Sequence, residues 1–253
     1  MKLNKIDLEI CAQSLTSAVT AQAGGADGIE LCTALEVGGL TPSAATIMEA
    51  RRLLTIKISV LIRPRSGDFC YSDLEFGLIK KDILFCKEHG INGVVVGVLK
   101  PNQEYDMKRM TEIAYIARPM ELTAHRAFDQ TPDAAEALDQ LIQMGYNKVL
   151  TSGQKGSVAE GKEVLKALVK QARGKILIMP GNGVTLENME DILITSNALD
   201  IHMTAKKLII SDQSAGGFNM KSALANNYYE TDLATVKKAM AIVKIMNQDI
   251  SPF

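Results

Sequence analysis

Short apolar runs alternate with longer stretches of helical spacing along the chain. The runs predict strands over residues 7–12, 28–33, 57–63, 93–99, 120–125, 148–151, 175–180 and 199–203. The stretches between and after them predict helices over 15–24, 42–54, 72–89, 107–117, 132–144, 158–172, 186–194 and 232–246. Several helices carry start signals: Thr41 before Pro42, Thr131 before Pro132, and Thr185 with Glu187 and Asn188 in the first turn. Strands separated by helices of this length make parallel β-α-β units. Eight such units in 253 residues have the size of a TIM (β/α)8 barrel, so the reading is an α/β fold in a single domain over 1–253. An open doubly wound sheet alternates in the same way. It carries a glycine fingerprint after its first strand, where this chain has Cys11-Ala12-Gln13-Ser14. A weak repeat supports closure: Gly25-Ala26-Asp27, Gly90-Ile91-Asn92 and Gly145-Tyr146-Asn147 precede the second, fourth and sixth strands, and Asn197-Ala198-Leu199 is a looser fourth copy. The glycine suits a helix C-cap and the Asp or Asn a tight turn into the strand. Residues 206–227, after the eighth strand, read as an irregular surface loop or arm.

Within a strand, residues two apart share a face. Leu8 and Ile10 therefore point one way, and Glu9 and Cys11 the other; Ile29 and Leu31 oppose Glu30 and Cys32 in the same manner. A barrel gathers its site at the carboxyl ends of the strands. Those ends supply Glu9, Cys11, Glu30, Cys32, Arg63 and Arg65 around Pro64, His125 and Arg126 with Asp129 beyond, then His202 and Thr204. Glu9, Glu30, His125 and His202 are candidate acids or bases, and Arg63, Arg65 and Arg126 candidate clamps for a carboxylate or phosphate. Gly153 in Thr151-Ser152-Gly153, and Gly181, Asn182 and Gly183 ahead of a helix, are candidate anion-binding turns. The competing reading is structural: buried Glu and Arg that only satisfy one another, and cysteines that pack as small hydrophobes.

Composition narrows the classes. A net charge of −1 and a pI near 6.3 argue against nucleic acid and anionic membrane surfaces as partners. No apolar run approaches the roughly 20 residues of a membrane span, and the first residues lack the apolar core of a signal peptide. Four cysteines are too few for a disulfide scaffold at this length, so a reducing cytoplasm is the expected home.

The stretches LEICAQS (8–14), AGGADGIELC (23–32), GGLTPS (38–43), VLIRPRSGDFCYS (60–72), GVVVGVL (93–99), TAHRAFD (123–129), VLTSG (149–153), IMPGNGV (178–184) and IHMTAK (201–206) resemble the CutC family, long described as copper-homeostasis proteins. They lie in order along nearly the whole chain. The resemblance implies a TIM barrel, a cytoplasmic protein and a homo-oligomer. It also implies Cu(I) binding by two cysteines near the first two strand ends, which fall on Cys11 and Cys32.

Two functions follow. Soft thiolates at Cys11 and Cys32 favour Cu(I), although nothing in the residue pattern requires a cofactor. The polar groups of the mouth favour an enzyme acting on a small anionic metabolite, phosphorylated or carboxylated, with no particular reaction singled out. A non-catalytic scaffold descended from an enzyme is a third reading.

Overall fold

The computed structural model describes residues 5–210 and 227–249. Eight parallel strands follow the order of the chain around one sheet: β1 (Asp7–Ala12), β2 (Gly28–Leu31), β3 (Lys57–Leu61), β4 (Gly93–Val96), β5 (Glu121–Ala124), β6 (Lys148–Thr151), β7 (Leu177–Pro180) and β8 (Asp200–Met203). Each of the first seven leads into a helix: α1 (Leu15–Ala23), α2 (Ala44–Leu53), α3 (Asp73–Glu88), α4 (Met107–Ala117), α5 (Ala134–Met144), α6 (Val158–Ala172) and α7 (Met189–Ser196). An antiparallel ribbon, β9 (Lys206–Ile209) with β10 (Tyr228–Thr231), separates β8 from the last helix, α8 (Leu233–Asp249). No helix among the described residues is long and apolar enough to cross a membrane.

The alternation expected of the strands is realised. Leu8, Ile10, Ile29, Leu31, Ile58, Val60, Val94, Val96, Leu122, Val149, Ile178 and Ile201 pack outward against the buried faces of the helices. Each such burial stabilises the fold by roughly 2 kcal/mol. The other strand face turns into the barrel, where Cys11, Cys32, Leu61 and Val95 form a second, smaller apolar cluster.

The repeat has a structural basis beyond turn formation. Gly25, Gly90 and Gly145 end their helices at φ +90°, +68° and +80°. The next Asp or Asn but one then reaches back to the preceding strand. Asp27 Oδ2 accepts from Leu8 N at 3.0 Å, Asn92 Oδ1 from Ile58 N at 2.9 Å, and Asn147 Oδ1 from Leu122 N at 2.8 Å. The fourth copy has Leu199 at this position and offers only its carbonyl, to Asp7 N. That copy borders the one strand junction, β7 against β8, where the strands lie side by side without a hydrogen-bonded ladder.

Several boundaries differ from expectation. β3 ends at Leu61, two residues early. Ser43, not Thr41, caps α2, and Asp133, not Thr131, caps α5. Thr41 Oγ1 instead accepts from Arg63 N at 2.8 Å, and Thr131 Oγ1 donates to Phe128 O. Residues 206–209, expected to be irregular, pair as β9; residues 211–226 of the same expected loop lie outside the described residues. The ribbon is tied to the start of α1: Gln13 Nε2 donates to Tyr229 O, and Ser14 and Ser17 donate to Glu230.

Candidate functional site

The register of β8, β1 and β2 builds the floor of the barrel mouth. Glu9 is the ladder partner of His202, and Cys11 that of Glu30. His202 Nδ1 lies 2.9 Å from Glu9 Oε1, and Cys11 Sγ lies 3.6 Å from Cys32 Sγ. Donor atoms of Cys11, Glu30 and His202 lie within 4.8 Å of one another. All five side chains are buried.

Burial disfavours charge on His202, but hydrogen bonds with Cys11 and Glu9 and the charge of Glu30 hold its pKa well above the ordinary imidazole value. Burial also raises the Glu9 carboxyl; the His202 hydrogen bond and charge, helped by Lys148 and Lys57, outweigh it and bring the net shift down. Glu30 is pushed up to about 7 by burial, against the charge of His202. The hydrogen bond with Cys32, then burial, raises Cys11 well above the usual thiol range. These directions favour an imidazolium–carboxylate pair beside a protonated Cys11 thiol, with Glu30 held toward its neutral form.

One wall is built from β3 and β5. Arg63 Nη1 donates to the carbonyls of Val37 and Gly39, and Nη2 to that of Gly67, all at 2.9 Å. Its guanidinium lies 5.2 Å from the centre of the Phe69 ring. Among the described residues no carboxylate reaches it. Gly39 makes this possible: its φ is +87°, and a Cβ there would stand 2.7 Å from Leu61 Cδ2. His125 also packs on Phe69, ring centres 4.6 Å apart. Its Nδ1 accepts from Ala127 N at 3.1 Å, which places the proton on Nε2. Burial and the nearby Arg63 charge lower its pKa to about 3, so the ring is neutral. Nε2 has no acceptor among the described residues.

Three expectations require correction. Arg65 does not join the mouth. With β3 ended at Leu61 and the chain turned at Pro64, its guanidinium faces outward to Glu75 (2.5 Å), Asp68 (3.0 Å) and the Cys70 carbonyl (2.8 Å). The carboxylates of Glu9 and Glu30 accordingly do not pair with Arg63 or Arg65; Glu9 lies beneath the floor and orients His202. The Gly153 turn does not await an anion either, because Asp129 already supplies one. Asp129 accepts from Thr151 Oγ1, Ser152 N, Gln154 N and Arg126 Nε at 2.5–3.2 Å, while Gly153 N donates to Thr151 Oγ1.

The second turn stays available in part. Gly181 N is spent on Thr151 O. Asn182 and Gly183, at φ +75° and +89°, use their carbonyls for Val158 N and Asn188 Nδ2. The backbone N–H groups of Asn182, Gly183 and Val184 have no acceptor among the described residues.

These elements enclose a cavity of about 670 Å³. Cys11, Glu30, Cys32 and His202 line its floor; Arg63, Phe69, His125, Arg126, Asn182 and Gly183 are among the residues of its walls. At the opposite end of the barrel lies a charged cluster that the sequence reading missed. Lys148 Nζ, buried, lies 2.8 Å from Glu121 Oε1 and 3.5 Å from Asp200 Oδ1. Its signal was the same alternation that placed Glu9: Lys148 takes the inner face of β6 beside the outward Val149.

The CutC family model matches residues 6–207. The chain is 39% identical over 242 residues to the human copper homeostasis protein cutC homolog, covering 94% of this chain and 89% of that protein. It is 38% identical to a family protein CutC of Bacteroides thetaiotaomicron, covering 96% and 98%. The crystal structure of CutC from Streptococcus agalactiae superposes with a TM-score of 0.75 at 35% identity, over 78% of this chain and 97% of that one. Thiamine phosphate pyrophosphorylase from Pyrococcus furiosus, at 16% identity and TM-score 0.60, shares the fold, covering 96% of this chain and 97% of that one. In sequence and in architecture, this chain belongs to the CutC family.

Proposed function

We propose that this protein acts in copper homeostasis by holding one Cu(I) ion at Cys11, Cys32 and His202. The observation that carries the reading is the 3.6 Å separation of the two sulfur atoms with His202 beside Cys11. Thiolates and imidazole suit this soft cation. Two thiolates in line on one ion, at metal–sulfur bonds of about 2.3 Å, would stand about 4.6 Å apart. At 3.6 Å the pair fits a bent arrangement with room for a third donor. His202 suits that place: Nδ1 is fixed by Glu9, leaving Nε2 toward Cys11, the carboxylate–histidine pattern that orients metal-binding imidazoles. Uptake displaces the protons of both thiols and the Nε2 proton of the imidazolium, so affinity rises with pH. A reducing cytoplasm keeps the two sulfurs as thiols, and the depth of the site suits holding the ion more than rapid exchange.

Anaerobic titration in competition with a colorimetric Cu(I) chelator tests the proposal. The wild-type chain should take one ion, Cys11→Ala/Cys32→Ala none, and His202→Gln one ion at least tenfold more weakly. Equal competition by wild type and the double variant would defeat it.

A further inference from the structure

The cavity above the thiols carries a second set of groups that copper does not use. Three backbone N–H groups, of Asn182, Gly183 and Val184, lack acceptors among the described residues. Across from them, His125 Nε2–H and Arg63 Nε are also unpartnered, on residues only 4% and 6% exposed. All five groups are donors. A buried donor without an acceptor is costly; the two side-chain donors are buried, and together with the turn amides, on residues that range from buried Val184 to exposed Gly183, they suit a ligand rich in acceptors. Glu30 Oε2, at the floor beside the thiols, is the one unpartnered acceptor among the buried side chains of the cavity.

Charge selects the kind of acceptor. Arg63, Arg126, Lys155 and Lys206 line the cavity against Asp129 and Glu30. Asp129 is committed to the β6 loop and Arg126, while Arg63 and Lys155 have no carboxylate partner among the described residues. Water could satisfy the N–H groups singly but would leave the positive charge uncompensated. Size and surface select the rest. About 670 Å³, with Leu35, Phe69 and Leu150 on the walls, is far more than a bare inorganic anion fills and lies within the usual range for organic ligands.

We infer that this cavity binds a small organic anion, a carboxylate or a phosphate monoester, between the Asn182–Gly183–Val184 amides and the Arg63–His125 wall. The anion takes the place at the mouth that Asp129 fills in the neighbouring β6 loop. His125, neutral and donating through Nε2, adds a hydrogen bond without adding charge. The inference does not depend on copper.

The test is thermal unfolding of the full chain, freed of metal by a chelator and held at low salt. The probes are inorganic phosphate, three- to six-carbon phosphate monoesters and carboxylates of the same size, each against sodium chloride at matched ionic strength. At least one organic class should raise Tm by several degrees at millimolar concentration, and more than inorganic phosphate does. Which class responds identifies the anion. The apparent affinity should fall at least fivefold in Lys155→Ala, whose exposed side chain leaves folding untouched, and in His125→Phe, and should persist in Cys11→Ala/Cys32→Ala. Shifts no larger than those of chloride for every probe, or shifts unchanged in both Lys155→Ala and His125→Phe, would overturn it.

Discussion

His202 and Glu9 sit side by side on the β8–β1 ladder, and the imidazole Nδ1 approaches the carboxylate oxygen to 2.9 Å. Both groups are largely buried, so each leans on the other for its charge. The pair holds the ring in one orientation beneath the thiols. Four further measurements follow from this arrangement and its neighbours.

Removing the charge of Glu9 leaves an uncompensated imidazolium in the barrel. Glu9→Gln should cost about 3 kcal/mol in urea unfolding at pH 7. It should also lower the pKa of His202, followed by NMR of the imidazole. A loss under 1 kcal/mol with an unmoved titration would show that the pair is not coupled.

Glu30 gives a pH dependence of definite sign. Its folded pKa of about 7 exceeds the ordinary 4.5, so the folded chain binds the extra proton between these values. Its contribution is fully present below pH 4.5 and lost as pH rises through about 7, a change of about 3 kcal/mol. Relative to wild type, Glu30→Gln should gain stability on going from pH 5 to pH 8. Parallel stability curves for the two proteins would contradict this.

Asp129 closes the β6 loop from within. Asp129→Asn should destabilise the chain by about 2 kcal/mol, the scale of hydrogen bonds to a charged acceptor. Amide exchange at Ser152 and Gln154 should speed up while the β1 amides stay protected. Unchanged exchange at both loop positions would count against the role.

Asn147 ties the end of α5 to the start of β5. Asn147→Ala should cost about 1–2 kcal/mol by leaving Leu122 N without its partner. Asn147→Asp, which retains the acceptor as Asp27 does, should recover most of this. Equal losses in both variants would make the effect one of packing.

The parts legible in the sequence were those governed by short periodicities. Alternation in β1 and β2 placed Glu9, Cys11, Glu30 and Cys32 on the inner face, because one aliphatic face per strand was enough to orient the other. Arg65 departs from expectation because alternation holds only as far as Leu61, where the strand ends and Pro64 turns the chain. Gly153 was misjudged because a glycine turn looks the same whether its amides await a ligand or already hold Asp129, 24 residues earlier in the chain. Phe69, which contacts both Arg63 and His125, lies in a loop with no periodic signal at all. Lys148 was legible by the rule that found Glu9, but a lysine at a strand start reads as solvated until the opposite end of the barrel is seen to bury it.

The junction between β7 and β8 gives the barrel a preferred direction of failure. Seven of its eight joins are zipped by backbone ladders, and at the eighth the strands lie side by side without one. Leu199, standing where the other copies of the repeat carry an Asp or Asn, is the local mark of that difference. A hoop under strain parts at its unriveted joint. Here that joint lies between the β7 turn, which presents the free amides, and β8, which carries His202. Opening at that junction would carry the anion cradle and the thiol floor to opposite edges of one continuous sheet.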